Sequence, residues 1–184
     1  MWTLKKGRGW LVTQALLTSV VLLFSTLAVA QSQDNPEVTR LLEDARDKAA
    51  ALSRDADELE ALTRSDVSWQ THADMLELVK EHVNDLGRAA ERLSAARDQA
   101  SPWQKQAIDR MMPLLKELAD NTTAAINHLK ENKTRPTTPA YTEYLRQNDE
   151  TAHELSDLIS SFVRYGKTKE ELDRLEQRLE VASK

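Results

Sequence analysis

Beyond residue 35 the chain is a succession of apolar residues spaced three and four apart, which is the period of a helix with one greasy side. Asn35-Pro36 starts the first such run, with asparagine as cap and proline in the first turn. Val38, Leu41, Leu42, Ala45, Ala49, Leu52, Ala56, Leu59 and Leu62 form its stripe, ending near Thr63. A second run from Ser68 to about Gln99 carries His72, Met75, Leu76, Val79, Val83, Leu86, Ala89, Ala90, Leu93 and Ala96. The third opens at Ser101-Pro102, where Gln104 stands three residues after the serine as in a capping box. Its stripe is Ile108, Met111, Met112, Leu115, Leu118, Ala119, Ala125, Ile126 and Leu129, interrupted by Pro113, which is expected to kink it.

Thr138-Pro139 opens a fourth run through Tyr141, Tyr144, Leu145, Ala152, Leu155, Leu158, Ile159, Phe162 and Val163, with Asn148 in the apolar row. Gly166 is expected to stop it, as glycine does just past a helix end. Thr168 with Glu171 then reads as the capping box of a short fifth helix bearing Leu172, Leu175 and Leu179. Short connections make consecutive helices antiparallel neighbours. Folding the chain near residues 66, 100 and 135 brings Pro36 level with about Ala96, then Gln104, then Lys167. The spacing therefore predicts an all-α fold: an up-down-up-down, coiled-coil-like antiparallel four-helix bundle over residues 36–166. At 1.5 Å rise per residue it is about 40–48 Å long, with residues 167–184 as an additional C-terminal helix. Gly87 falls level with Pro113, so the two adjacent helices are expected to curve together.

Composition supports helices and little else. Only Gly87 and Gly166 follow residue 9, which leaves few positions for the tight turns of a β-rich fold. Cysteine is absent, excluding disulfides, zinc-thiolate and iron–sulfur centres, covalent haem and a thiol nucleophile. Lys5, Lys6 and Arg8 precede an uncharged stretch from Leu11 to Ala30 that ends Ala28-Val29-Ala30. A basic head, an apolar core and an A-x-A ending describe a cleavable secretory signal over residues 1–30, followed by a linker over 31–35. An uncleaved anchor is the alternative, since about 20 apolar residues span a bilayer, and the rest would then be the extracytoplasmic domain of a sensor. Removing the three basic residues of the head from the 25 in the chain leaves 22 against 30 acidic ones. So acidic a chain argues against nucleic acid as a partner, and against a membrane unless the signal is retained.

Candidate chemistry is sparse. His72 falls level with His128, Glu60 and Glu143, a set that would suit a divalent transition metal at one end of a bundle. Glu150 and His153 have the Glu-x-x-His spacing of di-iron bundles, but such sites need a second pair and two more glutamates. Haem would need facing axial ligands from among His72, Met75, His82, Met111 and Met112; His72 and His82 are about 15 Å apart along one helix, and Met111 and Met112 fall level with Ala89 and Arg88, so the methionines read as gap-fillers. Asn121 and Asn132 head glycosylation triplets that matter only in a eukaryotic secretory host. No elbow or glycine loop positions a nucleophile. Asn148, a lone amide on an apolar row, reads as a register-setting device. The expectation is a periplasmic or secreted, non-enzymatic protein without a cofactor. It would act through a protein partner or self-association, with Leu172, Leu175 and Leu179 as the contact surface.

Overall fold

The computed structural model describes residues 33–133, 135 and 137–182. The expected signal segment, with Ala28 and Ala30, lies outside the described residues. Four helices account for nearly all of the rest: α1 (Pro36–Leu62), α2 (Trp69–Ala96), α3 (Pro102–Glu131) and α4 (Pro139–Ala182), with a 3-10 turn at Arg97–Gln99 between α2 and α3. No strand occurs among the described residues. Helices α1 and α3 each pack against both α2 and α4. No helix among the described residues is long and apolar enough to cross a membrane.

Each start is chemically marked. Asn35 Oδ1 accepts from the amides of Glu37 and Val38 at 2.9 and 3.3 Å, meeting two of the donors that a helix leaves open. Ser68 Oγ accepts from Thr71 N at 3.3 Å at the head of α2, and Thr138 Oγ1 accepts from Tyr141 N at 3.3 Å at the head of α4. The expected stripes are the core. Leu41, Leu42, Leu52 and Leu59 of α1 are buried with Leu76, Leu86 and Leu93 of α2, Ile108, Met111 and Leu118 of α3, and Leu145, Leu155 and Ile159 of α4. Each such side chain contributes about 1.5–3 kcal/mol on burial. Ala45, Ala49, Ala56, Ala89, Ala90 and Ala152 fill the intervening positions and are also buried, which lets the backbones approach closely.

The second buried feature is polar. Gln104 is fully enclosed, and its amide makes four bonds. Oε1 accepts from Ser101 N at 2.9 Å and from Asn35 N at 3.0 Å, while Nε2 donates to Asn35 O and Thr39 Oγ1, both at 2.9 Å. The capping-box glutamine of α3 thus also closes the start of α1, 69 residues earlier.

One expectation about α4 is corrected, and α3 is continuous across its internal proline. Helix α3 runs unbroken through Pro113, which sits on the exposed side, where water can take the carbonyl that lacks an amide partner. Gly166 does not end α4, and there is no separate fifth helix: one helix of 44 residues reaches Ala182. The glycine is inside the helix because Trp103 lies against it. A Cβ built there would come within 2.7 and 2.9 Å of the indole ring. A helical glycine costs only about 1 kcal/mol relative to alanine, too little to stop a helix tethered on its far side. The tethers are Lys167 to Glu43 at 3.0 Å and Lys169 to Asp34 at 3.1 Å. Gly87 has no such neighbour, since nothing lies within 4 Å of a Cβ placed on it.

Two stability predictions follow from these contrasts. In urea unfolding, Gln104→Ala should cost about 2–4 kcal/mol, because it strands buried cap amides as well as removing bonds. Gly87→Ala should stabilise by about 0.5–1 kcal/mol through helix propensity, whereas Gly166→Ala should destabilise despite the same propensity gain.

Candidate functional site

The expected metal corner is an aromatic–imidazole stack. Tyr141, in the first turn of α4, lies between His72 of α2 and His128 of α3. The His72 ring meets it edge-on at 5.4 Å between centroids, and the His128 ring stacks on it at 5.7 Å. Tyr144 approaches the other side of His128 at 6.4 Å. His128 is held by Thr138, with Nε2 and Oγ1 at 2.8 Å. His72 and Tyr141 are both wholly buried, and neither ring nitrogen of His72 nor the Tyr141 hydroxyl finds a hydrogen-bond partner among the described residues.

The two carboxylates assigned to this corner turn elsewhere. Glu60 pairs with Arg64 one turn on. Glu143 takes two bonds from Arg146, at 2.9 and 2.6 Å, and one from Gln147 at 2.7 Å, which hold its carboxyl at about 2. Among the described residues no group of three or more His, Cys, Asp or Glu side chains is placed to hold a metal ion. His72, His128, Glu60 and Glu143 therefore do not meet as a ligand set. Level along the axis had been matched, but the phase of each helix and the nearby arginines decide where the acids point. The Glu150–His153 pair also separates: Glu150 pairs with Arg146, and the exposed His153 turns back to Asp149 at 3.0 Å. His82, on α2, pairs across to Asp55 of α1 at 2.8 Å. Asn148 is buried and donates to Thr122 Oγ1 at 3.2 Å, which fixes α4 against α3.

The other notable surface spans the far part of α4. A groove of about 820 Å³ opens between α3 and α4. Trp103, Leu158, Phe162 and Tyr165 form its apolar floor, and Arg110, Glu154 and Asp157 its charged margin. The Arg110 guanidinium sits 5.8 Å over the Phe162 ring, and Tyr165 meets Trp103 edge-on at 5.7 Å. Trp103 Nε1 donates to Asp34 Oδ1 at 2.7 Å. Burial pushes the Asp34 carboxyl up, but contacts from Ser101, Trp103 and Lys169 outweigh this and hold it below its ordinary value. Sequence patterning gives no sign of this groove, because its floor joins two residues of the predicted stripe of α4, Leu158 and Phe162, to Trp103 and Tyr165, which stand in no stripe.

Past the Lys169–Asp34 tether α4 runs on with its residues exposed. Val163 is its last buried residue, and residues 170–182 are exposed throughout. Leu172, Leu175 and Leu179 are 54%, 47% and 71% exposed, whereas Leu41, Leu42, Leu52 and Leu59 of α1 are at most 2% exposed. An exposed leucine row on a regular helix is suited to burial against another surface. Comparison of the chain with family models, curated proteins and solved structures gives no match in any of the three.

Burial depresses the His72 pKa from its ordinary value of 6.5. The folded protein thus holds this ring neutral, while the unfolded chain takes up a proton at ordinary pH for histidine. The stabilisation is complete above that pH and is lost as pH falls below it toward the depressed folded value. Melting temperature should decline between pH 7.5 and 5, and His72→Phe should flatten that part of the profile. An unchanged slope in the variant would refute the assignment.

Proposed function

We propose that this is an exported, non-enzymatic helical-bundle protein that acts by protein–protein interaction, with the free segment of α4 as its contact surface. The row of Leu172, Leu175 and Leu179, regular in spacing and open to solvent, carries this reading. Export rests on the basic head, apolar stretch and A-x-A ending of residues 1–30, which would be removed after Ala30. The net acidic remainder favours a protein partner over nucleic acid.

The bundle itself we read as up-down-up-down and antiparallel. Supporting this, Gln104 at the start of α3 bonds to Asn35 at the start of α1, and Trp103 lies against Gly166 far along α4. At the other end, His72 at the start of α2 meets Tyr141 at the start of α4, which also meets His128 at the end of α3. In that arrangement the first three helices and most of the fourth form a rigid body, and the remainder of α4 is offered beyond it.

The test is affinity capture by the whole chain from envelope extract supplemented with a differently tagged copy of itself. It is run beside a variant carrying Leu172→Ser, Leu175→Ser and Leu179→Ser. All three positions are exposed, so the variant should melt within about 2 °C of the parent. Proteins retained by the parent and lost by the variant are the expected result. Identical captures from the two would refute the surface.

A further inference from the structure

The free segment of α4 carries more information than three leucines. Tyr165, Thr168, Leu172, Leu175, Leu179 and Ala182 succeed one another in strictly alternating steps of three and four, and all six are exposed. That is the a/d seam of a coiled coil. Tyr165 lies two residues past the buried Val163, roughly 200° around the helix. Tyr165 still meets Trp103 edge-on, but from Thr168 onward the seam is turned away from the side of α4 on which Val163 is buried.

The residues beside the seam choose its partner's direction. Arg164, Glu171 and Arg178 precede the a positions, and Lys169 and Glu176 follow d positions. In a parallel pairing with a second copy, Arg164 would face the partner's Lys169 and Glu171 would face the partner's Glu176, so both flanking contacts repel. An antiparallel pairing reverses every sign. Setting Leu172 opposite the partner's Leu175 also sets Thr168 opposite the partner's Leu179 and Tyr165 opposite the partner's Ala182, each large side chain meeting a smaller one at the ends. Glu171 then faces the partner's Arg178, and Lys169 the partner's Glu176. Two-fold symmetry repeats each contact, giving four attractive pairs.

Three of the four charges concerned are not spent on ion pairs among the described residues; Lys169 is the exception and would have to share its ammonium with the partner's Glu176. Glu170 and Arg174, off the seam, pair with each other, and Lys169 lies between Asp34 and Asp173 at 3.1 and 3.4 Å. Glu171, Glu176 and Arg178 have no ion pair among the described residues.

We propose that the partner of this surface is a second copy of the chain, docked antiparallel along residues 165–182 as a two-stranded, two-fold symmetric coiled coil. The two bundles then sit at opposite ends of the shared seam. This rests on the reading of α4 as an interaction surface and adds to it the occupant, the direction and the register.

Sedimentation equilibrium of the full chain should show a monomer–dimer equilibrium. Glu171→Lys should raise the dissociation constant roughly tenfold, since it makes two contacts repulsive, and adding Arg178→Glu to it should restore dimerisation. In a parallel dimer Glu171→Lys would instead tighten association by facing Glu176, so a tighter dimer overturns the proposal. The chain lacks cysteine, which permits a direct check of register. Thr168→Cys chains mixed with Leu179→Cys chains should oxidise to the mixed disulfide, and neither variant should cross-link to itself. Self-cross-linking at either position overturns the antiparallel register. A chain that stays monomeric up to about 1 mM overturns self-pairing altogether. If the triple serine variant has meanwhile lost capture of another protein, the interaction surface survives that result; if it has not, both readings fall.

Discussion

The arrangement of this protein depends on one buried amide. Helix starts leave amides without partners, and two starts brought together inside a protein would double that cost. Gln104 resolves both at once, with its oxygen shared between Ser101 N and Asn35 N and its nitrogen shared between Asn35 O and Thr39 Oγ1. Every hydrogen-bonding position used is met within the protein, the condition under which a buried polar group specifies structure rather than weakening it. Apolar stripes rich in leucine and alanine could pack in several registers at little difference in energy. A four-bond amide admits one, and with it the relative heights of α1 and α3 are set.

From that fixed end the remaining contacts follow as a set. Trp103, next in sequence to Gln104, reaches Asp34 and lies on Gly166, so α4 is drawn against the same corner. Lys167 and Lys169 then tie α4 to Glu43 and Asp34. The opposite end is closed differently, by the rings of His72, Tyr141 and His128, whose packing replaces hydrogen bonding for His72 and Tyr141. One end is thus fixed by directed bonds and the other by shape, with an alanine-lined core between them.

The periodicity in the sequence marks the starts of the four helices nearly to the residue, because caps and stripes are local properties. Asn35-Pro36, Ser68, Ser101-Pro102 and Thr138-Pro139 each stand at an observed start. Gln104 was legible as a capping residue, but its bond to Asn35 was not, since spacing along one helix is silent about a cap 69 residues away. Gly166 was misread for a related reason: a glycine that ends a helix and a glycine that admits an indole look alike until the opposite side chain is known. Level-matching brought His72 and His128 to one corner, yet it could not supply the azimuth of Glu60 and Glu143, which neighbouring arginines claim. The exposed leucines were legible as unsatisfied, and their continuity with Tyr165 and Thr168 emerged only when α4 proved to be one helix.

The contact of Trp103 with Gly166 has a mechanical consequence. A helix that leaves a bundle is a lever arm, and its fulcrum lies where the last tertiary contacts are made. Here those contacts run from Gly166 to Lys169: the Trp103 indole reaches from the α4 backbone to the Asp34 carboxylate, one residue before the cap of α1, and Lys169 reaches the same carboxylate. Load applied to the far turns of α4 would pass through that ring to the first residues of α1.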